Sequence, residues 1–140
     1  MSERNDLLID DAMLDSVQLA AKASERLRMH YDLRNTAGDC SCRMLNVMEV
    51  GTLMPIHRHR NTSETIVLLR GHIIEHFYDD MGNVIAEYDI NPEKGRYGLQ
   101  IPAGVWHSFD VVTPSALFEA KDGAYIPCAA CDIQLSEDYN

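Results

Sequence analysis

Eight short β-prone runs follow one another closely, at residues 42–50, 54–59, 64–69, 73–78, 84–88, 97–101, 106–112 and 116–121. Turn residues separate them, among them Asn61-Thr62-Ser63, Arg70-Gly71 and Thr113-Pro114-Ser115. β-Branched and aromatic side chains suit a pleated, half-buried surface, whereas Gly, Pro, Asn and Ser interrupt it. With no helical segment between the runs, the expected fold is an all-β antiparallel sandwich or barrel. One helix precedes it. Asp10 or Asp11 caps a segment reaching to about residue 28, in which Met13, Leu14, Val17, Ala20, Ala21, Ser24 and Leu27 recur on one face. Residues 29–39 read as a polar connection ended by the turn signal Gly38-Asp39.

The stretch that carries chemistry is GTLMPIHRHRNTSETIVLLRG, from Gly51 to Gly71. His57 and His59 are two apart, and in a strand such residues point to the same face. Glu64 opens the next run and offers a carboxylate to the same point. Imidazole nitrogens with a carboxylate oxygen suit Zn, Mn, Fe, Co or Ni better than Ca or Mg. Downstream, QIPAGVWHSF places His107 three residues beyond Gly104, where Pro102 and Gly104 make a tight turn into a new strand.

These two segments resemble the two-part cupin signature. Gly51, His57, His59, Glu64 and Gly71 match its first part; Pro102, Gly104 and His107 match its second, with Gly95 one residue farther out than usual. An Asn often found four residues after the last histidine is Val111 here. A closer resemblance, to the WbuC family of cupin-fold metalloproteins, rests on Arg43-Met44-Leu45-Asn46, the HRH triplet, IPAGVWHS, the run FEAKDGAY from Phe118 to Tyr125, and Pro127. Members of that family occur in bacterial polysaccharide-antigen gene clusters. The resemblance implies a cupin-type antiparallel barrel (a double-stranded β-helix or jelly roll) with an N-terminal helix. It also implies one divalent transition metal (Zn, Fe, Mn or Ni) on His57, His59, Glu64 and His107, and a homodimer, since cupins commonly pair. The whole chain, 1–140, is then a single cupin domain, with 1–39 as helix and connection, 40–127 as barrel and 128–140 as an irregular tail.

Four protein ligands leave a position open on a five- or six-coordinate ion, which suits a reactive centre. The leading functional expectation is a metal-dependent isomerase, epimerase or hydrolase acting on a small sugar-like or anionic metabolite, with a link to polysaccharide biosynthesis implied by the resemblance. A ferrous-iron dioxygenase and a non-catalytic metal or small-ligand binding module are the alternatives. Glu119 and Lys121 share a strand face: if it is inward, Lys121 holds an anionic group and Glu119 orients water or moves a proton; if outward, they are an ion pair on an edge. Asn46 is a candidate substrate-binding group or a backbone tether. Arg58 and Arg60 alternate away from the histidines and are expected in structural ion pairs, and Trp106 in core or interface. His72 and His76 have no carboxylate at ligand spacing.

A formal charge of −10, from 12 Lys and Arg against 22 Asp and Glu, argues against nucleic acid or an anionic membrane as partner. The partner expected is a small molecule. The acidic amino terminus lacks the features of a signal peptide and no apolar run approaches a membrane span, so a cytoplasmic protein is expected. At 140 residues the chain can bury roughly 70% of its unfolded surface without disulfide staples. Cys40, Cys42, Cys128 and Cys131 are then unrelated thiols or, if the chain ends meet, a four-thiolate zinc site.

Overall fold

Asp10 starts the helix as expected. Its Oδ1 accepts the Met13 amide at 3.0 Å, and α1 runs over Asp11–Ala23. A computed structural model describes residues 7–123 and 132–134. After α1 come β1 (Arg28–Asp32), β2 (Ser41–Met48), β3 (Ile56–His57), β4 (Glu64–Tyr78), β5 (Val84–Ile90), a 3-10 turn (Pro92–Lys94), β6 (Gly98–Ile101), β7 (Trp106–Asp122) and β8 (Ile133–Gln134). Every pairing between these strands is antiparallel. The order is β1-β2-β7-β3-β8, and β4 joins β5, β6 and β7. The two longest strands, β4 and β7, pair along most of their length and run through both walls of the barrel.

Side-chain alternation divides the structure into an outer seam and an interior. Leu45, Val47 and Ala116 face α1, where Met13, Leu14 and Val17 cover them. From the opposite face of the same sheet, Met48 and Leu117 join Ile66, Leu68, Ile73, Ile90, Phe109 and Val111 inside the barrel. Val111 is thus an apolar core residue where the cupin pattern often has Asn. This core reaches the cavity, where Ile66, Phe109 and Leu117 form part of the apolar wall.

Four sequence expectations need correction. The helix stops at Ala23 rather than near residue 28, because Ser24 is extended, its Oγ accepts the Arg26 amide, and Leu27 turns the chain with φ 57°. Ser24 and Leu27 therefore lie beyond the helical face. Residues 28–32, read as the helix end and the start of a connection, form the edge strand β1, paired with Met44–Met48. The irregular tail contains β8, which pairs with Ile56 and His57. Just before it, Asp132 accepts hydrogen bonds from Arg58 Nε (2.8 Å) and Arg60 Nε (2.6 Å), the ion pairs expected of both arginines.

The fourth correction concerns continuity. Runs 64–69 and 73–78 are one strand, as are 106–112 and 116–121. The break in sequence at Gly71 is a bend within β4. Glu64, Ile66 and Leu68 are buried before it and Ile73, Glu75 and Phe77 after it, so the inward phase changes from even to odd positions. The pairing with β7 shifts register across the same residues. Gly71 has φ 99°, and a Cβ there would meet Ser115 and come within 2.6 Å of the Pro114 carbonyl.

Candidate metal centre

His57 and His107 sit directly opposite each other on β3 and β7. Each ring is fixed from behind: Nδ1 of His57 donates to the Pro55 carbonyl and Nδ1 of His107 to the Val105 carbonyl, both at 2.9 Å. A carbonyl only accepts, so the proton is on Nδ1 and the Nε2 lone pair faces inward. His59 is brought to the same point by a turn that ties the two motifs together, the Gly104 amide donating to the His59 carbonyl at 2.8 Å. The ligating nitrogens of the three histidines lie within 4.8 Å of one another. Glu64, at the start of β4, completes the cluster: its Oε2 lies 3.6 Å from His59 Nε2 and 3.5 Å from His107 Nε2. That oxygen is buried without a hydrogen-bond partner.

Burial keeps all three imidazoles neutral at pH 7. It pulls His57 down to about 4, helped by neighbouring His107, and His107 to about 4. His59 falls to about 3 through burial and the nearby Lys121 charge. Neutral imidazoles and a carboxylate within this separation fit a divalent transition metal by donor type. The arrangement forms only through barrel closure, because the four residues come from β3, the turn after it, β4 and β7.

The cluster lies on the wall of a cavity of about 480 Å³. Glu119 and Lys121 face into it, which resolves their orientation as inward; the Lys121 ammonium lies 3.9 Å from a Glu119 carboxylate oxygen. Burial and the adjacent Glu64 raise the Glu119 carboxyl to about 7. Asn46 also lines the cavity. Trp106 is buried outside it, donating to Asp80 at 3.0 Å, with the Arg58 guanidinium 4.3 Å over its ring.

Other candidates separate from the site. His72 bonds Asp89, and His76 has Glu87 at 3.4 Å on one ring nitrogen and Asp110 at 3.8 Å on the other, so its partners diverge. Cys42 is buried, with its thiol pushed up by that burial, and Cys40 is exposed. Cys128 and Cys131 lie outside the described residues, as do Tyr125 and Pro127.

Two features of the cavity are absent from the sequence expectations. One wall is β1 with its flanks: Arg26, Arg28, His30, Asp32 and Arg34 all line the cavity, every second residue of a segment read as the end of the helix and a polar connection. The other is Glu75, 1% exposed, whose carboxyl is raised well above the usual range by burial and by Glu64 and Glu119. Its signal was its phase: an acid stands between Ile73 and Phe77, where the alternation calls for an apolar side chain.

Comparison with known proteins places this geometry. The sequence model of the family described as "Domain of unknown function (DUF6016)" matches residues 9–90, more than half of the chain. The chain belongs to the DUF6016 family. No curated protein matches this DUF6016 chain. Solved structures do. CapF of Staphylococcus aureus, a capsular polysaccharide assembling protein, superposes with a TM-score of 0.58 at 16% identity, over 79% of this chain and 32% of CapF. A sugar phosphate isomerase of the cupin superfamily from Silicibacter pomeroyi gives 0.54 at 21% identity, over 68% of this chain and 59% of its own. KdgF from Halomonas sp. gives 0.55 at 10% identity, over 71% and 82%. In two further CapF structures the matched part is only 24% and 28% of that chain. At these identities the likeness establishes the fold: this DUF6016 chain has the cupin fold. Among the described residues, no helix is long and apolar enough to cross a membrane.

The unusual protonation of the site gives a pH prediction for the metal-free protein. The three histidines have folded pKa values below the unfolded 6.5, so the stability they contribute is lost as pH falls from about 6.5 towards 4. Glu75 and Glu119 have raised values, so they oppose this by holding protons more firmly when folded. His30, which lines the same cavity and is also pulled down by burial, adds to the three histidines, so four lowered imidazoles outweigh two raised carboxyls and stability is expected to fall as pH drops from about 6.5 towards 4.5. Urea titrations across that window measure the slope; stability that rises on acidification contradicts this balance.

Proposed function

We propose that the protein is a divalent-metal enzyme acting on a small sugar-like or anionic metabolite, of the isomerase, epimerase or hydrolase type. The observation that carries this reading is the preset orientation of His57 and His107. With both Nδ1 atoms committed to carbonyls, their inward nitrogens meet His59 and Glu64 on the wall of a cavity large enough for a small metabolite. His57, His59, His107 and Glu64 would hold the ion. When bound, it supplies Lewis acidity to a substrate carbonyl or hydroxyl.

The remaining roles belong to side chains of this chain. The Lys121 ammonium attracts an anionic substrate group. Glu119, with a carboxyl near 7, takes or returns a proton at its carboxylate oxygen, since a group titrating near the working pH does so with least penalty. The apolar wall of Ile66, Phe109 and Leu117 excludes water from one side. Helix α1 contributes none of the residues lining the cavity, which favours ligand access over a blocked, purely structural site.

Within the cupins, the segments RMLN, HRH, IPAGVWHS and FEAKDGAY support placing the chain nearest the WbuC family. The CapF likeness is in keeping with a role in polysaccharide synthesis. The test is turnover. Protein purified without chelators is analysed for metals, loaded with Mn or Zn, and incubated with aldose and ketose phosphates and hexuronates under phosphorus and proton NMR. Interconversion that needs the metal and disappears in Glu119→Gln supports the reading. Binding without conversion across the panel moves the assignment to a binding module, and substrate-dependent oxygen uptake after ferrous loading moves it to oxygen chemistry.

A further inference from the structure

Buried side-chain oxygens without a hydrogen-bond partner fall in two places among the described residues. Gln18 and Glu49 lie beneath α1, whereas Asn46, Glu64 and both oxygens of Glu75 lie around the cavity. Glu64 belongs to the metal centre; Asn46 and Glu75 have no use there. Asn46 Oδ1 and the Glu75 carboxylate are 4% and 1% exposed as residues, on β2 and β4, and both side chains line the cavity that the histidines face.

Proteins bond nearly all such groups, because a desolvated acceptor without a donor is destabilising. Glu75 is the more demanding case. It replaces an apolar side chain in the inward phase of β4, sits in the field of two other carboxylates, and no described residue donates a hydrogen bond to it. A residue that costs the fold stability in this way contributes elsewhere, and the cavity it lines offers a place for a ligand. What the carbonyl oxygen of this carboxyl lacks is a donor. Asn46 lacks the same thing, through its carbonyl oxygen. A ligand that offers several donors at once, with an otherwise compact body, is a polyol.

We infer that Asn46 and Glu75 form a hydroxyl-accepting subsite in the cavity, and that the ligand is polyhydroxylated, its hydroxyl groups supplying the donors these two side chains lack. This rests on the proposed reading of the cavity as a substrate site, but not on the metal. Glu75 contacts substrate in this arrangement and selects it; a deoxygenated analogue leaves the carboxyl buried and unbonded, so it binds more weakly.

The test compares two probes of equal charge and chain length, D-glucitol 6-phosphate and n-hexyl phosphate, by calorimetric titration of metal-free and zinc-loaded protein. Wild type is expected to prefer the polyol at least about 10-fold in both forms, because only the hydroxyls differ between the probes. Glu75→Leu is expected to lose that preference, to bind zinc as before, and to melt roughly 4 °C or more above wild type, since it removes a desolvated carboxyl. A purely structural Glu75 would move the melting point down. If Glu75→Leu does not fold, Glu75→Met, which also lacks an acceptor oxygen, decides by the same preference. Equal affinity for both probes in wild type, no binding of the polyol, or an undiminished preference in the variant overturns the inference. Loss of zinc stoichiometry with the polyol preference intact sinks the metal reading alone.

Discussion

Replacing His59 with alanine is expected to abolish divalent-metal binding and leave the fold standing. One nitrogen is removed from a set of three that lie within 4.8 Å of one another, and no other described side chain in the cluster can substitute for it. Loss of one ligand from a four-residue site weakens the ion by about 10³-fold or more, on the order of 4 kcal/mol. The barrel does not depend on this ring. His59 lies in the turn after β3, outside both apolar clusters, and its carbonyl accepts from Gly104, a hydrogen bond that alanine keeps. Metal content by elemental analysis, with circular dichroism and thermal melting as controls, measures the effect. A variant with normal metal content refutes the ligand assignment. In wild type, saturating zinc should raise the melting point, because the ion binds only the folded form; in His59→Ala that rise should vanish.

The largest effect on stability is expected at Gly71. Its backbone is in the left-handed region at φ 99°, and an added Cβ would press on Ser115 and on the Pro114 carbonyl at 2.6 Å. Backbone, not a movable side-chain tip, is in the way. Gly71→Ala therefore combines conformational strain with a displaced β7 and should destabilise by about 3 kcal/mol or more. Gly104 provides the control. It also has positive φ, 82°, yet nothing lies within 4 Å of its Cβ position, so Gly104→Ala should lose only about 1 kcal/mol from strain. Guanidinium unfolding of both variants separates steric contact from strain. Equal losses would mean that the bend tolerates a side chain and that Ser115 does not fix it.

The same bend marks how far the sequence was legible. A period of two placed His57 beside His59, and a local turn announced His107, so all four candidate ligands were readable without the structure. The barrel was readable too, since its apolar core residues alternate with polar ones. Strand continuity was not: Arg70-Gly71 and Thr113-Pro114-Ser115 carry every mark of a turn, and only cross-strand pairing shows that β4 and β7 pass through them. Glu75 was hidden for a related reason. Counting from Glu64 puts it on the outer face, and the phase change at Gly71 turns it inward. Residues 28–32 were hidden by chemistry. Arg28, His30 and Asp32 are polar because they face a cavity rather than an apolar core, and periodicity read from hydrophobicity treats such a strand as a loop.

That placement of β1 has a consequence for how such a site can diversify. The histidines and Glu64 are held by β3, the turn after it, β4 and β7, whereas among the described residues β1 pairs with β2 alone and forms the margin of the sheet. Its cavity-facing side chains, at alternate positions from Arg26 to Arg34, therefore shape the ligand space without bearing on the donor cluster. Under the proposed function, exchanging them would alter which molecule is accepted while the donor cluster is kept, so this margin of the cavity can drift without dismantling the ligand set.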